Sequence, residues 1–219
     1  MLASKKNKPD KAGERVRRDP ERTRARILEA ARIEFAQRGL SGARVDQIAA
    51  LAGSNKRMIY YYFDDKETLF LAALESAYAQ IRRAEQSLKL TDLAPLEGMR
   101  RLVHFTWGYY LAHPEFITLL NSENLHGARH LKRSKEIRAL HSPLVAMLDG
   151  LLARGQRAGV FRRGVDAVQL YISIAALGYF YLSNRHTLST IFGRDLMRPR
   201  ALRERLAHMT DLVLGYLAK

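Results

Sequence analysis

The sequence predicts an all-α protein with about nine helices. Apolar residues recur at the helical spacing i, i+3 and i+4 through most of the chain, and helix start signals such as Asp19-Pro20-Glu21 separate the periodic stretches. Only 6 prolines and 14 glycines occur in 219 residues, so long helices are expected. Breaks in the pattern divide the chain into a basic tail, a small N-terminal helical domain and a larger C-terminal helical domain, at residues 1–18, 19–65 and 66–219.

The charge balance indicates an anionic partner. Lysine and arginine number 37 against 22 acidic residues, a formal net charge of +15, which favours binding to nucleic acid or another polyanion. The absence of cysteine excludes disulfides, thiolate zinc sites and cysteine nucleophiles. No apolar run is long enough for a membrane-spanning helix, and the charged N-terminus lacks the apolar segment of a signal peptide. We therefore expect a cytoplasmic protein without a membrane partner.

The N-terminal region predicts a tail followed by a well-marked helix. Residues 1–18 carry almost no large apolar side chains and are expected to be disordered when free. They are either a solvated tail or an arm on nucleic-acid phosphates. The helix that Asp19 caps is expected to run to about Arg38 and stop at Gly39, with Arg22, Arg24 or Arg26 near the nucleic-acid backbone. Its apolar residues form one stripe: Ile27, Ala31 and Phe35.

The stretch from Arg44 to Leu69 predicts two short helices joined by a tight turn. The apolar face of the first helix consists of Val45, Ile48, Ala49 and Leu51–Ala52. Gly53 ends it because glycine takes a positive φ at low cost, and Asn55 caps the second helix. Met58, Ile59 and Tyr62–Phe63 are expected to pack inward, which leaves for another surface Lys56, Arg57, Tyr60 and Tyr61. A helix–turn–helix places such a surface in the DNA major groove, whereas the alternative is a helical hairpin with a solvated basic face.

The same stretch resembles the DNA-binding signature of TetR/AcrR-type transcriptional regulators. The resemblance covers about residues 20–75 and rests on Ala49-x-x-Ala52-Gly53-x-Asn55-Lys56-x-x-Ile59-Tyr60-x-Tyr62-Phe63-x-x-Lys66-Glu67-x-Leu69. It implies a homodimer with a small N-terminal DNA-binding domain and a larger helical domain for ligand binding and dimerisation.

The resemblance also implies which side chains contact DNA. Phosphate contacts are expected from Arg44, Tyr60, Tyr62 and Lys66, and base contacts from Asn55, Lys56, Arg57 and Tyr61. Two positions depart from the family pattern. Ser54 stands where a branched apolar residue is usual, and Arg44 replaces the usual Thr or Ser cap while it can still reach a phosphate.

The C-terminal domain predicts a bundle that begins with a linking helix. That helix opens at Asp64-Asp65, runs to about Leu88 and, in the family, joins the two domains. Further helices are expected over residues 96–112, 115–125, 166–188 and 199–218. Between them, helical periodicity resumes through Leu140 and ends near Gly155–Gly159, with a kink or two segments expected at Pro143. The last two helices resemble half of a four-helix dimer interface, in which close approach is allowed by Ala175, Ala176 and Gly178. The alternative is that both helices belong to the monomer core.

Aromatic and amide side chains of this domain are the predicted ligand contacts: Phe105, Trp107, Tyr110, Asn121, Asn124, Tyr171 and Tyr181. The alternative is that the aromatic stripe is simply core. Glu123, His126 and His130 share a spacing that suits a metal site, but Gly127 interrupts their helix. Paired histidines are more often surface or hydrogen-bonded core, so we predict no metal and no cofactor.

The C-terminal half more specifically resembles the RutR-like branch, whose members sense small metabolites that include nitrogen heterocycles. The resemblance implies a repressor released from a palindromic operator by a small aromatic or heteroaromatic acid, such as a pyrimidine or a nicotinate-type compound. The alternatives are a regulator of an efflux pump that senses hydrophobic drugs, and a non-specific architectural DNA binder. An enzyme is disfavoured, because the sequence lacks cysteine, a Gly-rich phosphate loop and a clear Ser–His–carboxylate grouping.

Overall fold

The computed structural model describes residues 19–219, apart from the side chains of residues 138 and 140–142. This part of the chain is built of ten α-helices and two short 3₁₀ turns, at Leu90–Asp92 and Leu131–Arg133, with no β-strand, which confirms the all-α prediction. The helices are α1 (Pro20–Gly42), α2 (Val45–Leu51), α3 (Lys56–Phe63), α4 (Lys66–Gln86), α5 (Pro95–Ala112), α6 (Pro114–Leu125), α7 (Lys135–Arg157), α8 (Ala167–Ser183), α9 (Arg185–Phe192) and α10 (Pro199–Leu217). The predicted tail lies outside the described residues.

Helices α1–α3 form the N-terminal domain around the predicted apolar stripe. Asp19 caps α1 by accepting hydrogen bonds from the first backbone N–H groups of that helix. At φ 65° and ψ 177°, Gly39 breaks the helical path of α1 at the predicted residue. The fully buried apolar side chains of the three helices form one cluster: Ile27, Ala31, Phe35, Ile48 and Ile59.

The inward-facing assignment of Leu51 is wrong. Its side chain is 56% exposed, whereas Ile48 and Ala49 of the same helix are buried. Six residues separate Leu51 from Val45, so at 100° per residue the two side chains point about 120° apart around α2. The apolar face therefore continues at Ala52, which is buried, and skips Leu51.

Helix α4 belongs to both domains. It packs against α1 on one side and against α7 on the other. Asp65 caps it by accepting a hydrogen bond of 2.6 Å from the backbone N–H of Thr68, and this bond holds the pKa of Asp65 below its usual value. Asp64 alone separates α3 from that cap, and it adopts φ 57° and ψ −59°, a conformation uncommon for residues other than glycine.

Two predicted boundaries in the C-terminal domain need correction. The helix predicted over residues 166–188 is two helices, because Asn184 takes the non-helical angles φ −104° and ψ 12° between α8 and α9. This break accounts for ten helices instead of about nine. The division into two segments, one of the two arrangements expected at Pro143, is not found, because α7 runs as one helix through that residue. Within residues 19–219, no helix combines the length and apolar character needed to cross a bilayer.

Gly155 on α7 is required by its neighbour Phe161. A Cβ at this position would overlap the buried Phe161 ring, whereas a Cβ at Gly150 of the same helix would meet open space. We expect Gly155→Ala to lower the free energy of unfolding by about 1–3 kcal/mol, the usual effect of overpacking. Gly150→Ala is the control and should raise it by about 0.5–1 kcal/mol, because alanine favours a helix. Urea unfolding of both variants tests this, and equal stabilisation would contradict it.

Candidate DNA interface and buried polar cluster

Helix α3 presents a polar, aromatic surface beside a buried one. Ile59 and Phe63 are buried, whereas Tyr60 and Tyr61 are 47% and 76% exposed. Arg57 is also exposed, and it forms no ion pair with the described residues. Asn55 caps the helix by accepting a hydrogen bond of 3.0 Å from the backbone N–H of Met58, as predicted. The outward face of α3 therefore consists of the side chains that the sequence assigns to DNA.

Two of the predicted DNA contacts share an acidic partner on the protein. Lys56 Nζ lies 2.5 Å from Asp46 Oδ1, and Arg44 Nη2 lies 3.7 Å from Asp46 Oδ2. The hydrogen bond from Lys56 holds the pKa of Asp46 below its usual value. All three side chains are largely exposed, so water and salt screen these ion pairs. A DNA phosphate can compete for either cation at low cost.

The start of α2 is held by a residue that sequence reasoning did not single out. Arg44 occupies the cap position without a side-chain cap, as expected. Its backbone N–H donates instead to Oε1 of Glu34 on α1, at 3.1 Å, and Glu34 is buried. A second bond across the same junction comes from Lys66, whose Nζ donates to the carbonyl oxygen of Ala43 at 3.3 Å. These bonds fix α2 and the start of α4 relative to α1.

A cleft of about 720 Å³ runs between the start of α1 and the N-terminal end of α3. The predicted residues Asn55, Arg57, Tyr61 and Tyr62 line it. Thr23 and Arg26 of α1 line it as well, and Arg26 is one of the three α1 arginines expected near the nucleic-acid backbone. Of the three α1 arginines noted in the sequence, Arg24 instead lies over the Phe63 ring, at 5.0 Å from its centroid. The spacing of arginines on α1 could not distinguish these two positions before α3 was placed.

The structure gives the seven predicted ligand contacts different partners. Trp107 packs edge-on against Tyr181, and the hydroxyl of Tyr181 donates to the carbonyl oxygen of Leu196. Asn121 accepts a hydrogen bond from Tyr179, and Asn124 is exposed.

Phe105 is half-buried and packs against Tyr109. Tyr171 accepts a hydrogen bond from a buried charged pair that sequence reasoning missed, and Tyr110 lies close enough for the charges of that pair to affect its pKa.

That pair, Arg82 and Glu85, lies on α4 and is 1–2% exposed. Arg82 Nη1 donates to Glu85 Oε2 at 2.6 Å, and Arg82 Nη2 donates to the hydroxyl of Tyr171 at 2.6 Å. We call these three residues, with Tyr78 and Tyr110, the Arg82 cluster. Burial raises the pKa of Glu85 to about 7 and that of Tyr78 to about 12, and it raises the pKa of Tyr110 and Tyr171 as well.

The raised pKa of Glu85 predicts a pH-dependent stability. Because its folded-state pKa lies above the usual value of 4.5, its contribution is complete below that value and is lost as the pH rises through about 7. Between pH 5 and pH 8, the wild type should lose about 2 kcal/mol of unfolding free energy relative to Glu85→Gln. Denaturant unfolding at both pH values measures the difference. Glu97→Gln, which changes an exposed ion pair with Arg101, is the control and should show no such trend.

Both carboxylate oxygens of Glu123, one of the three residues whose spacing suits a metal site, accept hydrogen bonds within the protein. Its Oε2 accepts from Nδ1 of buried His130 at 2.6 Å, and its Oε1 accepts from the backbone N–H groups of His130 and Leu131. His126 is turned to the carbonyl oxygen of Ser122, at 2.7 Å from Nδ1. Glu123 thus closes the loop after α6. Among the described residues, no group of three or more His, Asp or Glu side chains is arranged to hold a metal ion.

The fold and the exposed face of α3 define a helix–turn–helix regulator with a second helical domain. Comparisons with known proteins agree. Residues 27–73 match the family model for bacterial regulatory proteins of the tetR family, and residues 95–213 match the model for the tetracyclin repressor-like C-terminal domain. The chain belongs to the TetR family of transcriptional regulators.

Two curated relatives and one solved structure place the chain further. It is 44% identical over 199 residues to the HTH-type transcriptional repressor NicS of Pseudomonas putida, covering 91% of this chain and 94% of the relative. It is 32% identical over 136 residues to the HTH-type transcriptional regulator RutR of Escherichia coli K12, covering 61% and 64%. The crystal structure of putative transcriptional regulator SCO4942 from Streptomyces coelicolor superposes with a TM-score of 0.67 at 25% identity, covering 89% and 98%.

Proposed function

We propose that the protein is a homodimeric repressor that leaves a palindromic operator when a small aromatic or heteroaromatic acid binds its C-terminal domain. The observation that carries the proposal is the exposed N-terminal face of α3, with Arg57, Tyr60 and Tyr61, held on a buried core and joined through α4 to a second domain. The relative of 44% identity, which carries the name of a transcriptional repressor, supports the sign of the regulation.

An apolar face on α8 and α10 supports dimerisation with a second copy. Of the 14 large apolar side chains that are exposed in residues 19–219, eight lie between residues 168 and 216. Val168, Ile172 and Phe180 form a stripe with a period of four along α8, and Leu212 and Tyr216 follow the same period on α10. A groove of about 460 Å³ runs between them. A monomer rarely leaves so much apolar surface in water, and two-fold pairing covers the same patch on both copies.

One of the three small residues of α8 expected at the dimer interface, Gly178, lies elsewhere. A Cβ at Gly178 would lie 3.2 Å from the Tyr110 ring, so this glycine faces the monomer core instead of a second copy. Ala176 is exposed and lines the groove, whereas Ala175 is half-buried. The close approach proposed for the dimer therefore rests on Ala176.

Fluorescence anisotropy with two labelled duplexes tests the DNA-binding part of the proposal. One duplex carries the DNA upstream of the protein's own gene, and the other carries the same bases in scrambled order. At physiological salt, we expect the upstream duplex to bind at least about 1,000-fold more tightly. If both duplexes bind equally, a genome-wide binding selection is the next step. Duplexes recovered by that selection that bind no more tightly than scrambled DNA would support an architectural DNA binder.

A further inference from the structure

The buried pair at the centre of the Arg82 cluster is incompletely bonded. Arg82 Nε and Glu85 Oε1 have no hydrogen-bond partner among the described residues, although both atoms are inaccessible to water. Glu85 uses one oxygen and reaches only one nitrogen of the guanidinium. A carboxylate that bridged two nitrogens of Arg82 would form the stronger, bidentate arrangement. Glu85 therefore leaves part of the hydrogen-bonding capacity of Arg82 unused. Buried ion pairs also contribute little to the stability of a fold.

Aromatic rings surround the charged pair on several helices. The Tyr110 and Phe116 rings are stacked at 6.0 Å, and the Tyr78 ring meets Phe116 edge-on at 5.5 Å. The ring of Tyr171 lies 5.2 Å from the Arg82 guanidinium carbon. Flat apolar walls with one or two polar groups at fixed positions are the usual surroundings of a small planar ligand.

The charges of the cluster favour an anionic ligand over a neutral one. The guanidinium of an arginine is a cation in proteins. Glu85 can become neutral by taking up a proton, since burial already raises its pKa to about 7. The other titratable groups that face the pair are tyrosines, Tyr78 on α4, Tyr109 and Tyr110 on α5 and Tyr171 on α8. If Glu85 takes up a proton when an anion binds, the anion replaces the negative charge that Glu85 loses. The net charge of the cluster is then the same with and without the ligand.

We propose that Arg82 is the anchor for the carboxylate of an aromatic or heteroaromatic acid, and that this carboxylate takes the place of Glu85. The inference rests on the proposed function and names the contact by which the effector is recognised. The ligand carboxylate bridges Arg82 Nη1 and Nη2, Glu85 turns away and takes up one proton from solvent, and the ligand ring lies among Tyr110, Phe116 and Tyr171. Glu85 is thus a stand-in for the effector in the free protein.

The anchor lies next to a bond network that links the two domains. Gln80, two residues before Arg82, accepts a hydrogen bond of 2.5 Å from Arg32 Nη1 on α1, and Arg32 Nη2 donates to Glu115 Oε1 on α6 at 3.3 Å. Burial raises the pKa of Tyr109 on α5, and the charges of both pairs, Arg32 with Glu115 and Arg82 with Glu85, also affect it. Tyr109 therefore lies close to the network and to the Arg82 cluster. A ligand that moves α4 at Arg82 acts directly on the helix segment that holds α1.

Isothermal titration calorimetry on the full chain tests the anchor. The probes are nicotinate and benzoate, with nicotinamide and benzamide as uncharged counterparts of the same shape. We expect each acid to bind at least about tenfold more tightly than its amide. The affinity of benzoate, which does not titrate in this range, should fall about tenfold between pH 6 and pH 8 as Glu85 must be protonated.

Three variants separate recognition from stability. Arg82→Met with Glu85→Gln removes both charges, and this double variant should lose the preference for acids over amides. Glu85→Gln alone should bind benzoate about tenfold more tightly at pH 8 than the wild type and without proton uptake. A purely structural pair would not produce tighter binding. Arg101→Met removes an exposed charge of the same domain and should change nothing, and thermal unfolding verifies that each variant is folded.

Three other results would contradict the assignment of Arg82 as the anchor, and they differ in which part of the proposed function they leave standing. If acids bind the double variant as well as the wild type, Arg82 is not the anchor while the effector class stands. If amides bind as well as acids, the site does not select a carboxylate. If no probe binds a protein that still binds its operator, the aromatic-acid effector and the anchor both fail, and the DNA-binding regulator remains.

Discussion

Replacing Phe180 with glutamate is expected to give a monomer that binds operator DNA at least about 100-fold more weakly than the wild type. Phe180 is 59% exposed at the centre of the apolar face on α8 and α10, beside the groove that a second copy would cover. A carboxylate there would be buried without a partner in the dimer but would be solvated in the monomer, so it penalises association alone. A monomer carries one α3 helix instead of two, so it loses the added affinity that a dimer obtains by binding two half-sites at once.

Analytical ultracentrifugation and operator anisotropy measure the two effects of Phe180→Glu separately. Leu125→Glu is a matched control, because Leu125 is an apolar residue that is 87% exposed at the end of α6 and does not line the groove. It should remain dimeric and bind DNA normally. A dimeric Phe180→Glu protein with full operator affinity would show that the face on α8 and α10 is not the interface.

Replacing Arg57 with alanine is expected to reduce the ratio of specific to non-specific affinity by about 10- to 100-fold, since a bidentate arginine–guanine contact contributes about 1–3 kcal/mol of discrimination. Arg57 is exposed at the second position of α3 and forms no ion pair with the described residues, so its guanidinium is available to a base. Lys66→Ala should instead weaken the binding of specific and non-specific duplexes alike. Lys66 sits at the start of α4, where it donates to the Ala43 carbonyl oxygen. A phosphate contact there, and the position of α2 that this bond supports, both affect all duplexes alike.

The comparison of Arg57→Ala with Lys66→Ala needs a control for net charge. Arg83→Ala removes one positive charge from the exposed surface of α4, near the end of that helix and far along it from Lys66. It should leave both affinities within about twofold of the wild type after screening at physiological salt. If Arg57→Ala instead weakens the upstream and scrambled duplexes equally, Arg57 contacts the backbone and another residue of α3 reads the sequence.

Much of the N-terminal domain could be predicted because its signals are local. The period of four in Ile27, Ala31 and Phe35, the cap at Asn55 and the positive φ at Gly53 each depend on a few neighbouring residues. The break at Asn184 escaped prediction because neither glycine nor proline marks it, and the apolar pattern continues on both sides.

The Arg82 cluster shows where sequence reasoning stops. An arginine and a glutamate three residues apart on an amphipathic helix have the spacing of an ordinary solvated ion pair. Their burial depends on helices that are distant in sequence, such as α8, whose Tyr171 hydroxyl accepts a hydrogen bond from Arg82. Gly178 was misplaced for the same reason, since the ring that it faces belongs to another helix. Contacts between distant elements decide burial, and no local period records them.

The single-residue joint at Asp64 has a mechanical consequence. A flexible loop between α3 and α4 would absorb small movements of α4, but Asp64 has strained backbone angles and bonded caps on both sides, so it offers little slack. With 21 residues and a rise of about 1.5 Å each, α4 is about 32 Å long. A tilt of about 5° around its midpoint displaces its first turn by about 1.4 Å, and the recognition helix must follow. In a two-fold dimer the two recognition helices move in opposite senses, which doubles the misfit to a rigid duplex.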